Sequence, residues 1–535
     1  MDNLERLSKT TWFYPLLISG LFWGTYIYIF DTKFDLNGDN AAYYILGQSI
    51  ADGQGYTNIH SIHPKPHNVF PPGYPFIISV IITTLTNDRY LIKIFNAIFF
   101  WLTLLVLFQL FMKITDNNRS MAFVATVFLA INYSALIYTT IMMSEMAFML
   151  LCTLAITWFI KMDTGKKPPW LDKYFIFSLL TLGAAYYTRT AAIALLGGFL
   201  LYFTIKKRWK HMITMGFGFV LMALPWFIRS ASLGGSSYLK PMAMVNPYRP
   251  ELGQTDLLDL GRRFFVNFQR YITQEIPGGT LNFVDEFYPN LLLSTMGRLD
   301  LFPFQLYMPQ LFIDWILGLF ILLIIIYGFT RLSSQRVLLG SYLAGTFGIL
   351  LLWPDVWVGT RFMLPVLPFL ILFLVLGVSH FLGWFFHKRF FNPMFLLLLI
   401  LISWGKVDYL RTYAQGGYPP SWNNYFAMAD WVRKNTPRDA IICARKPMMF
   451  YLEANRKMTS YVSTPNQQEL IDSLAARNVD YVVLEQLGFA TTRRYLYPAI
   501  RDNPERFNLV LSFDAPPTWL MQFVKNPVLS NDEEE

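Results

Sequence analysis

Long apolar runs separated by short polar segments recur along most of this chain. A helix needs about 20 mainly apolar residues to cross the ~30 Å hydrocarbon core of a bilayer. Apolar runs begin near Thr11 and recur as far as Gly405. The pattern predicts an all-α polytopic membrane protein with about 11 transmembrane helices. The predicted spans are about 11–30, 91–113, 120–139, 142–161, 174–188, 191–205, 212–230, 310–330, 336–353, 361–384 and 391–407.

From about Asp408 the pattern changes to short polar-faced helices that alternate with short apolar runs. The runs DYVVLE, NLVLSF and WLMQFV are typical of strands, and NQQELIDSLAARN is typical of an amphipathic helix. The chain is therefore predicted to consist of a transmembrane domain over 1–407, a soluble α/β domain over 408–530 and an acidic tail over 531–535.

Clusters of lysine and arginine between the predicted spans orient the chain. Cytoplasmic loops carry an excess of these residues, and placing all four clusters inside is self-consistent. The N-terminus is then inside, whereas the segments 31–73 and 232–309 and the C-terminal domain lie outside the inner (plasma) membrane. The clusters are Lys161 with Lys166, Lys167 and Lys173; Lys206, Lys207, Arg208 and Lys210; Arg331 with Arg336; and Lys388 with Arg389.

The apolar run Tyr74–Asn87 bears on this orientation, because an extra span there would invert everything before it. At about 1.5 Å per residue the run reaches only about 21 Å, short of the ~30 Å hydrocarbon core. We therefore predict a re-entrant or surface-lying helix, which leaves the segment 31–73 outside. The segment 232–309 is long and mixed in character, so we expect a lid or substrate-binding loop, or a structural loop.

The composition agrees with a membrane protein. Hydrophobic residues make up 54% of the chain and charged residues only 15%, whereas soluble proteins carry about 25% charged residues. Juxtamembrane lysines and arginines account for the net charge of +9, so nucleic acid is not an expected partner. Cys152 in a span and Cys443 in the tail exclude a cysteine-based metal site or redox pair. The first span lacks a small-residue cleavage site after it and is expected to be retained.

Asp39 is the first candidate for chemistry, because it is a carboxylate in the polar segment directly after the first span. It can act as a general base that takes a proton from a hydroxyl or amine at the membrane surface. The alternative is an N-cap, in which its carboxylate accepts the free N–H groups of the next helix. Tyr43 and Tyr44, about one turn on, are expected to line the same cleft, or to be interfacial aromatic residues.

Four further charged residues stand at the predicted outer boundary. Glu145 follows Ser144 at the end of an apolar span, so it should face a cavity or a partner, or snorkel to the interface. Arg189, Arg229 and Arg361 run against the positive-inside bias. Guanidinium groups match phosphate with paired donors, so these arginines are candidate counter-charges for a lipid phosphate. The alternative for Arg361 is a salt bridge to Asp355.

Three of the six histidines fall close together in the outer segment. His60, His63 and His67 are a cluster of the kind that can bind a divalent metal. Pro64 and Pro66 prevent a regular helix there, and no cysteine joins the group. A solvated loop is the alternative.

An ordered series of motifs gives the membrane part, about 11–405, a resemblance to a known family. The motifs are Gly-Asp-x-x-x-Tyr-Tyr at 38–44, Gly-x-Gly-Tyr at 53–56, Pro-Pro-Gly-Tyr-Pro at 71–75, Ser-Glu at 144–145, Pro-Trp-x-x-Arg at 225–229 and Arg-Phe-x-x-Pro-x-x-Pro at 361–368. With these motifs in this order, the chain resembles the GT-C membrane glycosyltransferases, specifically the family-39-like bacterial relatives of protein O-mannosyltransferases and of the lipid A aminoarabinose transferase.

The resemblance implies a sugar donor on a polyprenyl phosphate, a protein or glycolipid acceptor, and an inverting displacement on the outer face. It implies that Asp39 is the general base and that Arg361 binds the departing phosphate. The turn that contains Pro72 and Tyr74 would shape the donor site. The chain departs from these relatives at 68–70, where Asn-Val-Phe stands in place of an acidic or lysine-containing motif.

Other functions of such a chain are a transporter or lipid flippase, or a polymerase or ligase of surface polysaccharide. Transporters place polar, broken helices at the bilayer midplane and usually show internal repeats. Here no repeat is evident, and the candidate charges stand at the outer boundary, which favours the enzyme. No catalytic motif stands in the C-terminal domain, so its expected role is docking or acceptor recognition, with structural capping as the alternative.

Overall fold

The computed structural model describes residues 12–36, 38–162, 167–234, 239–282, 312–383 and 388–525. Helices dominate the part before residue 416. They are α1 (Phe13–Ile29), α2 (Asp39–Ala51), α3 (Gly73–Thr84), α4 (Arg89–Ile114), α5 (Arg119–Ala130), α6 (Tyr133–Thr139), α7 (Glu145–Lys161), α8 (Lys173–Thr188), α9 (Ile193–Ile205), α10 (Trp209–Ser232), α11 (Leu239–Met242), α12 (Leu257–Arg270), α13 (Ile276–Thr280), α14 (Phe312–Thr330), α15 (Arg336–Leu351), α16 (Leu367–Leu382) and α17 (Lys388–Gln415).

Helix length and hydropathy support membrane spans in part. Within the described ranges, α4 and α10 are each long and apolar enough to cross a membrane, and α5 with α6 makes a third if that bent pair is one span. The other apolar helices include α1, α9, α15 and α16, which are shorter. The count of about 11 spans therefore stays a prediction.

The predicted span 120–139 is not one straight helix. α5 and α6 meet at an angle of 57°. Asn132 stands between them with an extended backbone, and its side-chain oxygen accepts the N–H of Ala135 as the N-cap of α6. Its amide group also donates to the carbonyl of Gly279 at 2.9 Å. Because asparagine side chains compete with the helix for backbone partners, this residue ends one helix and starts the next.

The segment after α1, which the sequence predicts to lie outside and which is called the outer segment below, is built on the paired helices α2 and α3. They approach closely at Gly47, where a Cβ atom would lie 2.5 Å from Ile78 Cγ2. α3 has 12 residues, about 18 Å, which agrees with the predicted helix that is too short to span the bilayer. Its other face exposes Phe76 and Val80, so the apolar surface away from α2 suits contact with lipid.

The segment 232–309 contains helical structure that the sequence analysis missed. α12 carries a capping box at its start, formed by Asp256 and Asp259. A single π-helical turn, Tyr271–Glu275, connects α12 to α13. Residues 283–311, together with the predicted tail 531–535, lie outside the described residues.

The C-terminal part forms the predicted α/β domain. Its helices are α18 (Pro420–Asn435), α19 (Pro447–Ala454), α20 (Gln467–Ala476) and α21 (Tyr497–Arg501), and its strands are β1 (Ile441–Cys443), β2 (Lys457–Thr459), β3 (Tyr481–Leu484), β4 (Phe507–Phe513) and β5 (Thr518–Phe523). The sheet has the order β2-β1-β3-β5-β4. β1 is parallel to both β2 and β3, whereas β5 is antiparallel to β3 and β4.

This domain packs directly on the outer segment. One apolar cluster includes Tyr43 and Tyr74 from the outer segment and Met449 and Phe450 from the domain. The contact extends to the backbone, because the N–H of Met458 donates to the carbonyl of His60 at 2.8 Å. The C-terminal domain and the loop that carries Asp39 therefore lie on the same side of the protein.

Candidate active site

Asp39 is the first residue of α2. The residue before it, Gly38, has φ +98°, a backbone conformation that favours glycine. Asn40 holds the turn, since its side-chain oxygen accepts the N–H of Gly38 and its amide donates to the carbonyl of Asp35 at 2.7 Å. The start of α2 has no side-chain cap, so the predicted alternative, a capping role for the Asp39 carboxylate, is not observed.

The carboxylate of Asp39 faces an arginine that lies 322 residues further along the sequence. Arg361 Nη2 lies 3.2 Å from Asp39 Oδ2, and Arg361 Nε lies 3.1 Å from Glu145 Oε1. The side chain of Asp39 is 35% exposed, whereas that of Glu145 is only 2% exposed. The guanidinium thus bridges one accessible and one buried carboxylate.

Glu145 is held from a second side by Arg189, whose Nη1 lies 2.5 Å from the same Oε1. Two guanidiniums on one carboxylate compensate its burial at the N-terminal end of α7. Snorkelling to the interface, the predicted alternative for Glu145, is not observed. The structure therefore brings together four of the predicted residues, Asp39, Glu145, Arg189 and Arg361.

The turn that carries Arg361 is held by Glu275, the last residue of the π-helical turn before α13. Residues Thr360–Phe362 form a short 3₁₀ helix, and the preceding Gly359 has φ +118°. The N–H of Gly359 donates to Glu275 Oε1 at 2.9 Å, and Glu275 is 6% exposed. Asp355 pairs with Arg262 at 3.1 Å. The alternative pairing of Arg361 with Asp355 is therefore wrong.

Aromatic side chains close the cleft on the α2–α3 side. The hydroxyl of Tyr43 hydrogen-bonds Ser144 Oγ at 3.1 Å, and its ring packs against those of Phe70 and Tyr74. Burial raises the pKa of the Tyr43 hydroxyl, so this group stays protonated near neutral pH. The hydroxyl of Tyr74 donates to Asn96 at 3.0 Å. Tyr43 and Tyr74 therefore form a rigid wall next to Glu145.

Tyr44 and Pro72 have other surroundings. Tyr44 points to the opposite side of α2, where its hydroxyl donates to Asn87 Oδ1 at 2.9 Å. The reason is helical spacing, since Tyr43 shares a face with Asp39 and Tyr44 does not. Pro72 is the N-cap of α3 and its carbonyl accepts the N–H of Phe76 at 2.8 Å. Pro72 thus starts the helix that places Tyr74 in the cleft.

Arg229 is held by backbone carbonyls. Its Nη1 donates to the carbonyl of His67 at 2.7 Å, and its guanidinium lies over the rings of Tyr56 and Trp226 at 5.4 and 5.3 Å. These contacts fasten the outer segment to the end of α10. The structure does not place Arg229 with the carboxylates around Arg361.

The three clustered histidines serve separate contacts. His67 hydrogen-bonds Asn58 through Nδ1 and accepts the N–H of Phe70 at 2.9 Å through Nε2. His60 is buried beside Tyr451 of the C-terminal domain, and His63 is exposed. Within the described part of the chain, no group of three or more His, Cys, Asp or Glu residues could hold a metal ion. The geometry gives the predicted metal site no support.

Burial keeps the two inner histidines neutral. It lowers the pKa of His67 to about 3, and the Arg229 guanidinium adds to this effect. It lowers the pKa of His60 to about 4. Since Nε2 of His67 accepts a hydrogen bond, the neutral tautomer with its proton on Nδ1 satisfies both ring nitrogens.

Three supporting residues have contacts in the site that the sequence did not predict. Ser144 contacts both Tyr43 and Arg189, and Glu275 holds the turn before Arg361. Asn96 donates to the carbonyl of Met143 at 3.0 Å and so fixes the chain before Glu145. A polar residue inside an apolar span is itself a signal of a buried contact, so Asn96 could have been found from the sequence. Glu275 gives no such signal, because its partner is a backbone N–H 84 residues away.

The arrangement can perform acid–base chemistry beside an anion-binding group. Asp39 is accessible and can accept a proton, while Arg361 retains further N–H donors for an anion. The carboxylates of Asp39 and Glu145 do not fit a divalent metal site, because Glu145 already pairs with two guanidiniums. The site also offers no second accessible carboxylate among these contacts.

The sequence matches no protein-family model and no curated protein. Solved structures give a clear likeness. The chain is similar to ArnT from Cupriavidus metallidurans bound to undecaprenyl phosphate, with a TM-score of 0.59, 10% identity and coverage of 97% of this chain and 99% of that one.

A second likeness is to an oligosaccharyltransferase from Archaeoglobus fulgidus in complex with Zn and sulfate. Its TM-score is 0.58, at 13% identity, with coverage of 95% of this chain and 72% of that one. The oligosaccharyltransferase AglB from the same organism, in complex with an inhibitory peptide and a dolichol-phosphate, gives 0.57 at 12% identity and covers 97% and 76% of the two chains. The chain has the fold of these proteins, which is the GT-C fold of membrane glycosyltransferases.

Proposed function

We propose that this chain is an integral membrane glycosyltransferase. It transfers a sugar from a polyprenyl phosphate to a protein or glycolipid acceptor at the extracytoplasmic face of the membrane. The observation that carries the proposal is the pair formed by Asp39 and Arg361, 3.2 Å apart in the outer cleft. The similar proteins with bound undecaprenyl phosphate and dolichol-phosphate support this class of donor.

In this proposal Asp39 is the general base. It takes the proton from the acceptor O–H or N–H, and the acceptor atom attacks the anomeric carbon of the donor sugar. The bond from that carbon to the phosphate oxygen breaks, and its electron pair leaves with the polyprenyl phosphate. Asp39 then gives the proton to solvent. Its accessibility suits this exchange, since a buried carboxylate could not reach both acceptor and water.

Arg361 stabilises the charge that develops on the departing phosphate. Two of its N–H donors already contact Asp39 and Glu145, which fixes the plane of the guanidinium before the donor arrives. A preorganised cation at this point stabilises the transition state more than the ground state. Arg189 contacts the same carboxylate oxygen of Glu145 and holds this side chain in place, which in turn fixes Arg361.

The reaction proceeds by a single displacement and inverts the anomeric centre. Retention would require a carboxylate that attacks the sugar to form a covalent intermediate, followed by a second group that activates the acceptor. Glu145 cannot supply this second role, because Oε1 is held by two arginines and the side chain is 2% exposed. Asp39 is therefore assigned to the acceptor and not to the sugar.

The experiment measures sugar transfer from radiolabelled undecaprenyl-phosphate hexoses and pentoses. Membranes contain the wild-type protein, Asp39→Asn, or the control Asp52→Asn, at matched protein levels. Asp52 lies exposed at the other end of α2. We expect Asp39→Asn to lower the rate by about 100- to 10,000-fold, while Asp52→Asn keeps wild-type activity. Equal transfer by Asp39→Asn and wild type would refute the role of Asp39, and no transfer by wild type from any donor would refute the function.

A further inference from the structure

The carboxyl ends of two parallel strands of the C-terminal domain meet the catalytic turn. β1 and β3 pair through Cys443 and Val482, so the residues that follow them share one edge of the sheet. In α/β sheets this edge is where ligand-binding residues collect. Arg445 and Lys446 follow β1 at this edge.

Lys446 reaches across to the residue next to Asp39. A Cβ atom on Gly38 would lie 3.1 Å from Lys446 Nζ and 3.5 Å from its Cδ. The lysine side chain therefore lies against the backbone of the turn that presents the catalytic carboxylate. Burial lowers the pKa of Lys446, and the nearby carboxylates of Asp39 and Asp35 act in the opposite direction.

The backbone of Lys446 is fixed from the core of its own domain. Its carbonyl accepts the hydroxyl of the fully buried Tyr425 at 3.2 Å and the N–H of Phe450 at 3.1 Å. The ammonium also lies 5.0 Å from the ring centroid of Phe489. A side chain anchored in this way can hold the flexible glycine turn in one position.

The Gly38–Asp39 turn is thus approached by two cations from different parts of the chain. Arg361 approaches from the membrane part, and Lys446 approaches from the C-terminal domain. We infer that Lys446 is a positioning residue for sugar transfer, through which the C-terminal domain holds the Gly38–Asp39 turn in its reactive geometry. This inference rests on the proposed function, and it makes the C-terminal domain part of the active site.

The test removes the charge of Lys446 and then returns it in the same preparation. Full-length Lys446→Cys is assayed before and after treatment with 2-bromoethylamine, which alkylates the new thiol and restores an ammonium at nearly the same length. Iodoacetamide gives a neutral adduct for comparison. Cys152 and Cys443 are buried, and treated wild type controls for reaction at these positions. Lys434→Cys is the matched substitution, because Lys434 is an exposed lysine of the same domain that pairs with Asp430.

We expect Lys446→Cys to lower the maximal transfer rate by about tenfold or more, with little change in the apparent KM for the lipid donor. Aminoethylation should restore most of the rate, and the neutral adduct should not. A wild-type rate for Lys446→Cys, or failure of aminoethylation to restore activity, would overturn the inference while transfer by wild type upholds the proposed function. If wild type transfers no sugar, the proposed function fails and the inference falls with it.

Discussion

Arg361 and Arg229 are both predicted to lie at the outer boundary of the membrane part, yet they have different kinds of partners. Arg361 contacts the carboxylates of Asp39 and Glu145, one of which is accessible. Arg229 contacts the carbonyls of His67 and Tyr56 and stacks on aromatic rings. The sequence predicts both as counter-charges for a phosphate, because both run against the positive-inside bias.

The two kinds of partners distinguish an arginine that can take part in a reaction from one that stabilises the fold. A guanidinium among ionised carboxylates belongs to a network whose charge can respond to an arriving anion. A guanidinium that is hydrogen-bonded to backbone carbonyls holds two segments together. Its loss is therefore expected to lower the stability of the fold rather than the reaction rate. Substitutions of Arg361, of Arg229 and of its neighbour His67 test this difference.

The largest effect in this comparison is expected for Arg361→Met. It removes the cation proposed at the leaving phosphate, so transfer should fall by about 100- to 1,000-fold. The assay is the rate of transfer from labelled undecaprenyl-phosphate sugar at matched protein levels. Arg208→Met, at an exposed position between α9 and α10, serves as the control and should keep its activity. Near-normal transfer by Arg361→Met would place the phosphate elsewhere.

A smaller effect, on stability, is expected for Arg229→Met. The variant loses a charge-assisted hydrogen bond to His67 and the contact with Trp226, which together should cost about 2 kcal/mol. The melting midpoint in detergent should fall, while the folded fraction keeps its transfer rate. If transfer is lost at an unchanged melting midpoint, Arg229 belongs to the active site and the contrast fails.

The smallest effect concerns the pH dependence of stability near Arg229. The pKa of His67 is lowered to about 3 in the folded protein, whereas an unfolded histidine has a pKa of about 6.5. Between these values the unfolded chain binds a proton that the folded protein does not, so stability falls as the pH drops below about 6.5. The loss from His67 should be about 1 kcal/mol at pH 6.

Melting curves at pH 7.5 and pH 6 measure this effect. His67→Gln should show a smaller drop between the two pH values than wild type. His63→Gln is the control, because His63 is exposed, and it should behave as wild type does. An equal drop in wild type and His67→Gln would show that His67 is not a buried neutral histidine.

Much of the fold follows from local pattern. The alternating runs after Asp408 predict the helices and strands that the C-terminal domain forms, because periodicity reports which face is buried. The run Tyr74–Asn87 predicts a short helix, and α3 has that length. The bend at Asn132 was not predicted, because both halves of 120–139 are apolar and only the side chain of Asn132 marks the break between them.

The candidate site is predictable only in its separate parts. Asp39, Glu145, Arg189 and Arg361 each stand out as charges at an apolar boundary, but their meeting depends on how the helices pack. Asp39 and Arg361 are 322 residues apart in the sequence, so no local pattern signals that contact. Lys446 lies in a domain without a catalytic motif, so its approach to Gly38 emerges only from the docking of the two parts.

In the proposed function, Asp39 acts on the acceptor as a base and not on the sugar as a nucleophile. The anomeric configuration of the transferred sugar distinguishes these two roles, and it is read by NMR after reaction of wild-type protein with an undecaprenyl-phosphate sugar of known configuration. We expect inversion, because a single displacement reverses the anomeric centre. Retention would refute the role of Asp39 as a base, since two successive displacements would then pass through a glycosyl–carboxylate intermediate.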